Sequence, residues 1–300
     1  MRDVYIINPT AGKQDSSANL IEQIKLYYGN DAKIIITEGV GDAKIKAEKE
    51  AQTGDEVRIF ACGGDGTCFE VLNGIIGYEN VSLGVIPIGS ANDFLKYFGL
   101  DSKKDFLDIE KQKYGKLVPV DLIKAGDYYC LNQCCAGMDA MVADDMKIFK
   151  RLPLVSGPTA YNLAIVKTLL RKLGIKAKLI IDNDKVKEGR FLFAVCANAP
   201  AYGGGYMSAP NSNPFDGVLN WLSVDVVSRL KILKFLPLYK AGKHEDLDIC
   251  SVGECQCFEI ITEKPIPVSL DGEILHTKNI KCEIVKKAIK FVVPENILTN

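Results

Sequence analysis

Gly63-Gly64-Asp65-Gly66-Thr67 sets three glycines, a carboxylate and a hydroxyl within five consecutive residues. Those types at that spacing suit phosphate chemistry. Glycines let backbone N–H groups approach phosphate oxygens without interference from Cβ, and a helix N-terminus just beyond adds positive potential. The acid can orient the loop or hold a magnesium ion bound to phosphates. A plain strand-to-helix turn is the competing explanation, because a lone glycine cluster is weak evidence. Two other loops have related chemistry, Asn8-Pro9-Thr10-Ala11-Gly12 and Gly89-Ser90-Ala91-Asn92-Asp93. Late in the chain, Leu270-Asp271-Gly272-Glu273 places two carboxylates around a glycine. Asp-Gly is a strong hairpin signal, so acids there can simply be solvated. Asn213-Pro214-Phe215-Asp216-Gly217 can close a type I turn in the same way.

The elements that must position these loops are legible in the residue pattern. Val4–Ile7, Lys33–Thr37, Asp55–Ile59 and Val81–Ile86 read as strands. Between them, a segment from Ser16 or Ser17 to Tyr27, the segment Ala43–Ala51 and the apolar set Phe69, Val71, Leu72, Ile75, Ile76 read as helices. Strand–helix alternation implies a mostly parallel sheet with right-handed crossovers. All three polar loops follow strands, so they gather at the carboxyl edge of one sheet, where open α/β folds bind ligands. There is no G-x-x-x-x-G-K-[ST] loop and no G-x-G-x-x-G fingerprint.

From about Val118 the texture changes to short strands, Val118–Ile123, Tyr128–Leu131, Lys178–Ile181, Phe191–Ala197, Gly217–Val226, Cys257–Thr262, Ile266–Leu270 and Ile280–Ile284, whose connectors carry Gly-Asp, Asp-Asn-Asp, Asn-Pro and Asp-Gly signals. This predicts an antiparallel second domain, a β-sandwich. Two helices are expected within it, at Pro158–Leu173 and Ser228–Ala241. The domain boundaries expected are 1–122 for the α/β unit and 123–285 for the sandwich.

Composition narrows the class. The chain has 300 residues, 47% hydrophobic and 25% charged, which is ordinary for a globular protein with real cores. A formal net charge of −1 argues against a general polyanion-binding surface, so no nucleic-acid partner is expected. No run reaches the ~18 apolar residues a spanning helix needs. Met1-Arg2-Asp3 leads straight into a strand, without the look of a signal peptide, and a cytoplasmic location is expected. Ten cysteines include the clusters Cys130, Cys134, Cys135 and Cys250, Cys255, Cys257, but no paired C-x-x-C of a zinc site. Buried reduced thiols are expected instead. His244 and His276, the only histidines, lack a partner at ligand spacing.

With the loops placed, the sequence resembles the bacterial diacylglycerol kinase-like lipid kinases, relatives of the sphingosine kinases. The resemblance runs over essentially the whole chain. It rests on Asn8-Pro9-x-x-Gly12, Gly63-Gly64-Asp65-Gly66-Thr67 and Pro87-x-Gly89-Ser90-x-Asn92-Asp93-Phe94. Beyond these it rests on Asn132-x-x-x-x-Gly137-x-Asp139-Ala140, Tyr202-Gly203-Gly204-Gly205, Ala209-Pro210, Asp216-Gly217 and Asp271-Gly272-Glu273. It implies an α/β ATP-binding domain like that of NAD kinases and phosphofructokinases, followed by an antiparallel β-sandwich, with ATP in the cleft between them and the final strand, 286–300, returning to the first domain. It implies ATP contacts from Asn8, Pro9, Thr10, Ala11, Gly12, Thr37, Gly63, Gly64, Asp65, Gly66, Thr67 and Ser90. Asn92 and Asp93 would support the phosphates and a catalytic magnesium. Asn213, Asp216 and the Val218 carbonyl correspond to a structural magnesium loop. Glu273 is the candidate base for the incoming hydroxyl, with Asp271 second. Ser90 stands where the family usually has Thr, and Cys68-Phe69 replace a usual Leu-Asn pair.

The activity so implied is transfer of the ATP γ-phosphate to a lipid hydroxyl, diacylglycerol giving phosphatidate. Sphingoid bases or phosphatidylglycerol are other acceptors of the same class. An NAD kinase-like enzyme and a non-catalytic nucleotide- or lipid-binding regulator are the alternatives. A lipid substrate requires peripheral membrane contact, for which Met146–Leu154 with Lys167, Arg171 and Lys172 is the candidate segment; a helix packed between domains is the competing explanation. Nothing in the sequence sets the oligomeric state, and a homodimer is left open.

Overall fold

The computed structural model of the protein describes residues 1–12, 16–99, 101–149, 157–295 and 297. The first unit alternates β1 (Arg2–Ile7), α1 (Ser16–Tyr28), β2 (Ala32–Ile36), α2 (Asp42–Ala51), β3 (Val57–Cys62), α3 (Asp65–Ile75) and β4 (Val81–Ile86). A 3-10 helix (Asp93–Phe98) and the short α4 (Ser102–Leu107) and α5 (Ile109–Lys113) follow. The strands lie in the order β2-β1-β3-β4 and all pair in parallel. Every residue of β3 and β4 is buried, as expected of central parallel strands covered on both faces. One apolar cluster fills the α2/α3 side, including Val4, Ile59, Leu72 and Leu83, and a second fills the α1 side around Tyr5, Phe60 and Ile86. Arg58 is buried in β3 because its fork meets the buried Asp3 carboxylate at 2.7 and 2.5 Å.

The second unit comprises β5 (Lys116–Ala125), β6 (Tyr128–Cys130), β7 (Gln133–Gly137), α6 (Met138–Phe149), α7 (Gly157–Leu170), β8 (Ile175–Ile181) and β9 (Lys185–Ala197). It continues through β10 (Ala201–Tyr202), β11 (Tyr206–Met207), β12 (Leu219–Asp225), α8 (Arg229–Lys240), β13 (Cys250–Cys255), β14 (Cys257–Leu270) and β15 (Glu273–Val293). Apart from β15 with β4, its pairings are antiparallel. Phe258, Trp221, Leu179 and Cys196 belong to its inner core, and Phe193, Leu222, Ile232 and Phe235 to a layer beneath the helices. The antiparallel sandwich expected from the turn signals is present.

Three differences have physical causes. Helix α6 was not anticipated, because its run begins with the Gly137-x-Asp139-Ala140 motif rather than a capping signal. Ile280–Ile284, expected as a short strand, belongs to the 21-residue β15. That strand pairs antiparallel with β14 and β5, then parallel with β4 at Lys290↔Ser82 and Phe291↔Leu83. It passes from one unit to the other through an irregularity at Val285–Ile289, where Lys287 takes φ 51° and its N–H bonds Asp121 Oδ1 at 2.6 Å. Cys257–Thr262 and Ile266–Leu270 likewise form one strand, β14, with a register shift between Ile261 and Ile266.

All ten cysteines are free thiols, and all but Cys250 are buried. His244 is fully buried with its ring edge-on to Tyr239, a packing role, whereas His276 lies 3.6 Å from Asp144 at the surface. Among the described residues, no helix is long and apolar enough to cross a membrane.

Candidate active site

The three polar loops meet at the carboxyl edge of β1, β3 and β4. Asn8 Nδ2 donates to Thr67 Oγ1 at 3.2 Å, and Asn8 Oδ1 accepts from the N–H and hydroxyl of Thr10. The Gly63 carbonyl accepts from Gly89 N and from Asn92 Nδ2, both at 2.9 Å. Gly89 has no alternative here: a Cβ on it would stand 2.4 Å from Gly64 Cα. Thr37 follows β2, and its N–H bonds the Ile7 carbonyl at 2.9 Å, so it belongs to the same edge. Pro9 and Ala11 lie between Asn8 and Gly12, within this loop.

Asp65 opens α3 and accepts from Asn92 N at 2.9 Å and Asp93 N at 2.7 Å. Burial and then the neighbouring Asp93 push its carboxyl up to about 6. Asp93 is itself buried; one oxygen pairs with Lys96 and the other accepts from Gly204 N at 2.9 Å. The glycine turn after Tyr202 is thereby tied to the first unit. Asn92 sits at φ 50°, and its Oδ1 is buried with no hydrogen-bond partner. An acceptor orphaned at this point is the kind of atom a bound ligand or ion satisfies.

The two late carboxylates behave differently. Asp271 accepts Leu131 N at 2.7 Å on Oδ2, and Asn132 N at 3.0 Å and Gln133 N at 2.8 Å on Oδ1. Burial pushes its carboxyl up to about 7 against the pull of these three N–H groups. Glu273, the first residue of β15, reaches the other way: its Oε1 lies 3.0 Å from where a Cβ on Gly66 would stand. A carboxylate from the second unit therefore overhangs the glycine motif of the first.

Two clefts open beside the Gly12 and Gly89–Asn92 loops. One of about 370 Å³ is lined by Ser90, Asn92, Lys96, Ser102, Lys103 and Gly204, among others. The other, about 610 Å³, runs past Gly12, Ser16, Asn19, Pro87 and Ile88 and shares Ser90 and Lys103 with the first. Lys103 Nζ bonds the Gly89 carbonyl at 2.5 Å, and desolvation lowers its pKa. Sequence reasoning missed Lys96 and Lys103. Lys96 carried a signal, its i,i+3 spacing from Asp93, whereas Lys103 reaches the site only through α4.

The Asn213–Val218 loop lies at the joint between the units. Asn213 Oδ1 accepts from Tyr97 Oη at 2.9 Å and Phe215 N at 3.1 Å. Asp216 is exposed; one oxygen accepts Val218 N at 2.9 Å, and partial burial with Asp121 and Glu254 nearby raises its pKa. Buried Asp121, one residue within a strand, holds both this loop and the β15 irregularity, through Gly217 N and Lys287 N at 2.6 Å each. Among the described residues no group of three or more His, Cys, Asp or Glu is arranged to hold a metal.

A further polar cluster lies behind the Tyr202 turn. Asp139 Oδ2 accepts from the hydroxyls of Tyr202 and Tyr239, and those hydroxyls are 2.8 Å apart. Burial pushes Asp139 up to about 6. Of the expected membrane segment, residues 150–154, including Lys150 and Arg151, lie outside the described residues, while Met146, Ile148 and Phe149 end α6.

Comparison with known proteins follows this division. The family described as "Diacylglycerol kinase catalytic domain" matches residues 3–125, and "YegS C-terminal NAD kinase beta sandwich-like domain" matches residues 132–293. The "Probable lipid kinase YegS-like" of Shewanella frigidimarina is 30% identical over 246 residues, 80% of this chain and 77% of that protein. A "Diacylglycerol kinase" of Staphylococcus saprophyticus is 27% identical over 272 residues, 89% of this chain and 87% of that protein. The crystal structure of a diacylglycerol kinase from Bacillus anthracis has the same fold, at TM-score 0.70 and 22% identity over 99% of this chain and 98% of that one. With its glycine loops joined at one sheet edge and an antiparallel sandwich behind them, the chain belongs to the family of YegS-type lipid kinases built on the diacylglycerol kinase catalytic domain.

Proposed function

We propose that this protein is an ATP- and magnesium-dependent lipid kinase whose acceptor is diacylglycerol and whose product is phosphatidate. The observation that carries the proposal is the position of Glu273 Oε1 over Gly66, a carboxylate aimed at the phosphate-loop candidate from the opposite unit. In this reading Asn8–Gly12, Thr37, Gly63–Thr67 and Ser90 bind ATP, and Lys103 adds a cation at the mouth shared by the two clefts. The acceptor hydroxyl gives its proton to Glu273 as its oxygen bonds the γ-phosphorus. The bond from that phosphorus to the β–γ bridging oxygen breaks, and ADP leaves. Asp271 is the weaker candidate for the base, because both its oxygens are already engaged by backbone N–H groups. Its role is to hold the Leu131–Gln133 turn and to fix the start of β15.

The residues at Asn92 and Asp93 suit a magnesium ion. Asn92 Oδ1 is buried and unpartnered; Asp93, held by Lys96 and Gly204 N, would have to release one of them to join it, and burial with the neighbouring Asp93 raises the pKa of Asp65, a repulsion that a cation relieves. Magnesium bound there would neutralise phosphate charge. A second ion is proposed at Asp216 and the Val218 carbonyl; Asn213, whose Oδ1 is already bonded twice, would have to release Tyr97 to join them. The pairing of β15 with β4 supports a division into 1–122 with 286–300, and 123–285. The proposed location is cytoplasmic, with peripheral contact at the membrane that holds the lipid.

The test is ADP release with ATP and magnesium against mixed micelles of diacylglycerol, sphingosine or phosphatidylglycerol, and against NAD. Turnover stimulated by diacylglycerol is expected. Turnover with NAD alone contradicts the proposal.

A further inference from the structure

Charge is unevenly distributed along this nearly neutral chain. Residues 146–181 contain no Asp or Glu and eight Lys or Arg; residues 226–244 contain no Asp or Glu and five Lys or Arg. The fold joins these two windows. Arg229, the first residue of α8, donates from Nε to the Leu169 carbonyl at 2.7 Å and from Nη2 to the Arg171 carbonyl at 3.1 Å, at the end of α7. Its charge is met by carbonyls rather than by an acid. Lys167 and Arg171 pair with Asp145, Lys176 with Glu263 and Lys178 with Glu188, but Lys172, Lys231 and Lys234 make no ion pair with a described residue.

The same two helices hold large apolar side chains in solvent. On α7, Leu163, Val166 and Leu170 recur at i, i+3 and i+7, and Val166 and Leu170 are 55% and 78% exposed. On α8, Leu230 and Leu233 are 74% and 53% exposed. The core does not need them: Ala164, Ile232, Phe235 and Tyr239 already face inward. Leu170 and Leu230 flank the junction made by Arg229, so the apolar rows of the two helices meet there among uncompensated cations.

We propose that the outer faces of α7 and α8 form a docking surface for an anionic lipid bilayer, with Lys172, Arg229, Lys231 and Lys234 on headgroups and Leu170, Leu230 and Leu233 in the acyl boundary. Charge complementarity selects this occupant. Helix α8, with Arg229, Lys231, Lys234 and Lys240 and no acid, lies beside Lys172 and the exposed leucines of both helices, and this matches a surface that offers negative charge and apolar depth together. The inference rests on the lipid kinase reading for its purpose, but its test does not use turnover.

The experiment is co-sedimentation of the full chain with phosphatidylcholine vesicles and with vesicles containing phosphatidylglycerol. Lys231→Glu/Lys234→Glu and Leu230→Ser/Leu233→Ser are the variants. Light scattering gives the mass of each, and ADP release with a short-chain diacylglycerol dissolved below its micelle concentration gives basal turnover. Wild type should bind the anionic vesicles alone. The charge variant should bind at least about tenfold more weakly at ~0.1 M salt, since each cation near such a surface contributes about a factor of five to ten. The leucine variant should also bind less, with basal turnover unchanged in both. Wild type that fails to bind, or variants that bind as it does, overturn the proposal. Variants that halve the mass and leave vesicle binding intact overturn it in favour of an interface between two copies. An inactive wild type that nonetheless shows the expected binding pattern supports this surface and contradicts the kinase reading.

Discussion

Glu273 Oε1 stands 3.0 Å from the position a Cβ on Gly66 would occupy, so the second unit's carboxylate lies on the bare backbone of the first unit's helix start. The absence of a side chain at residue 66 is what permits the approach. Gly66→Ala places a methyl at that distance, tighter than ordinary van der Waals contact, and the carboxylate must retreat. The expected result is a fall in kcat of about tenfold or more, since displacement of a positioned base costs that much. KM for ATP should rise as well, because the methyl also stands in the loop that meets the phosphates. A variant with wild-type kcat would separate Glu273 from the chemistry.

Asn92 joins the loops through Nδ2 and leaves Oδ1 buried without a partner. If that oxygen serves the metal–phosphate group, Asn92→Ala should raise the magnesium concentration needed for half-maximal turnover and lower kcat/KM for ATP about tenfold to a hundredfold. Steady-state titrations of magnesium at fixed ATP measure this. Loss of stability with an unchanged magnesium requirement would make Asn92 a loop brace only.

Asp271 accepts three backbone N–H groups, at φ 49°. Asn tolerates that backbone conformation, so Asp271→Asn isolates the loss of the carboxylate. One oxygen is replaced by an N–H₂ group facing a donor. The expected cost is about 2–4 kcal/mol in urea unfolding, with kcat reduced through the displaced start of β15. Unchanged stability would mean that the turn at Leu131–Gln133 does not depend on this residue.

Asp139 carries a pH signature. Its carboxyl is pushed up to about 6 in the folded protein, while an unfolded chain releases the proton near 4. Between those values the folded state binds more protons than the unfolded, so this group's contribution to stability is full below pH ~4 and is lost as pH rises towards ~6. Asp139→Asn removes the effect. The difference in unfolding free energy between wild type and variant should therefore change by up to about 3 kcal/mol from pH 4 to pH 6.5 and be flat above. Parallel curves throughout would contradict the assignment.

Local pattern revealed the parts of this molecule that repeat a simple rule. Strands β1, β3 and β4 are mostly apolar runs ending in polar glycine loops, and that alone predicted where Asn8, Asp65 and Asn92 would meet. The turn signals around β8, β9 and β12 predicted an antiparallel unit. What remained hidden depends on long-range pairing. Nothing near Asp121 indicates that it holds Gly217 and Lys287 at once, because those residues are distant in sequence. Lys103 enters the site by the path of α4, and Asp271 and Glu273, two residues apart, take opposite roles because Asp271 sits in the turn at φ 49°, facing the Leu131–Gln133 N–H groups, whereas Glu273 opens β15. The junction of α7 and α8 was equally invisible, since it depends on Arg229 reaching two carbonyls of another helix.

The central claim is that Glu273 takes the acceptor's proton. Its most direct test compares wild type and Glu273→Gln in diacylglycerol-stimulated ADP release, with ATP affinity measured on the same samples by calorimetry. The amide keeps the size of the side chain and removes the base. Turnover should fall by about 10²–10⁴-fold, with ATP affinity within about twofold of wild type. A Glu273→Gln enzyme that turns over diacylglycerol at the wild-type rate would contradict the account.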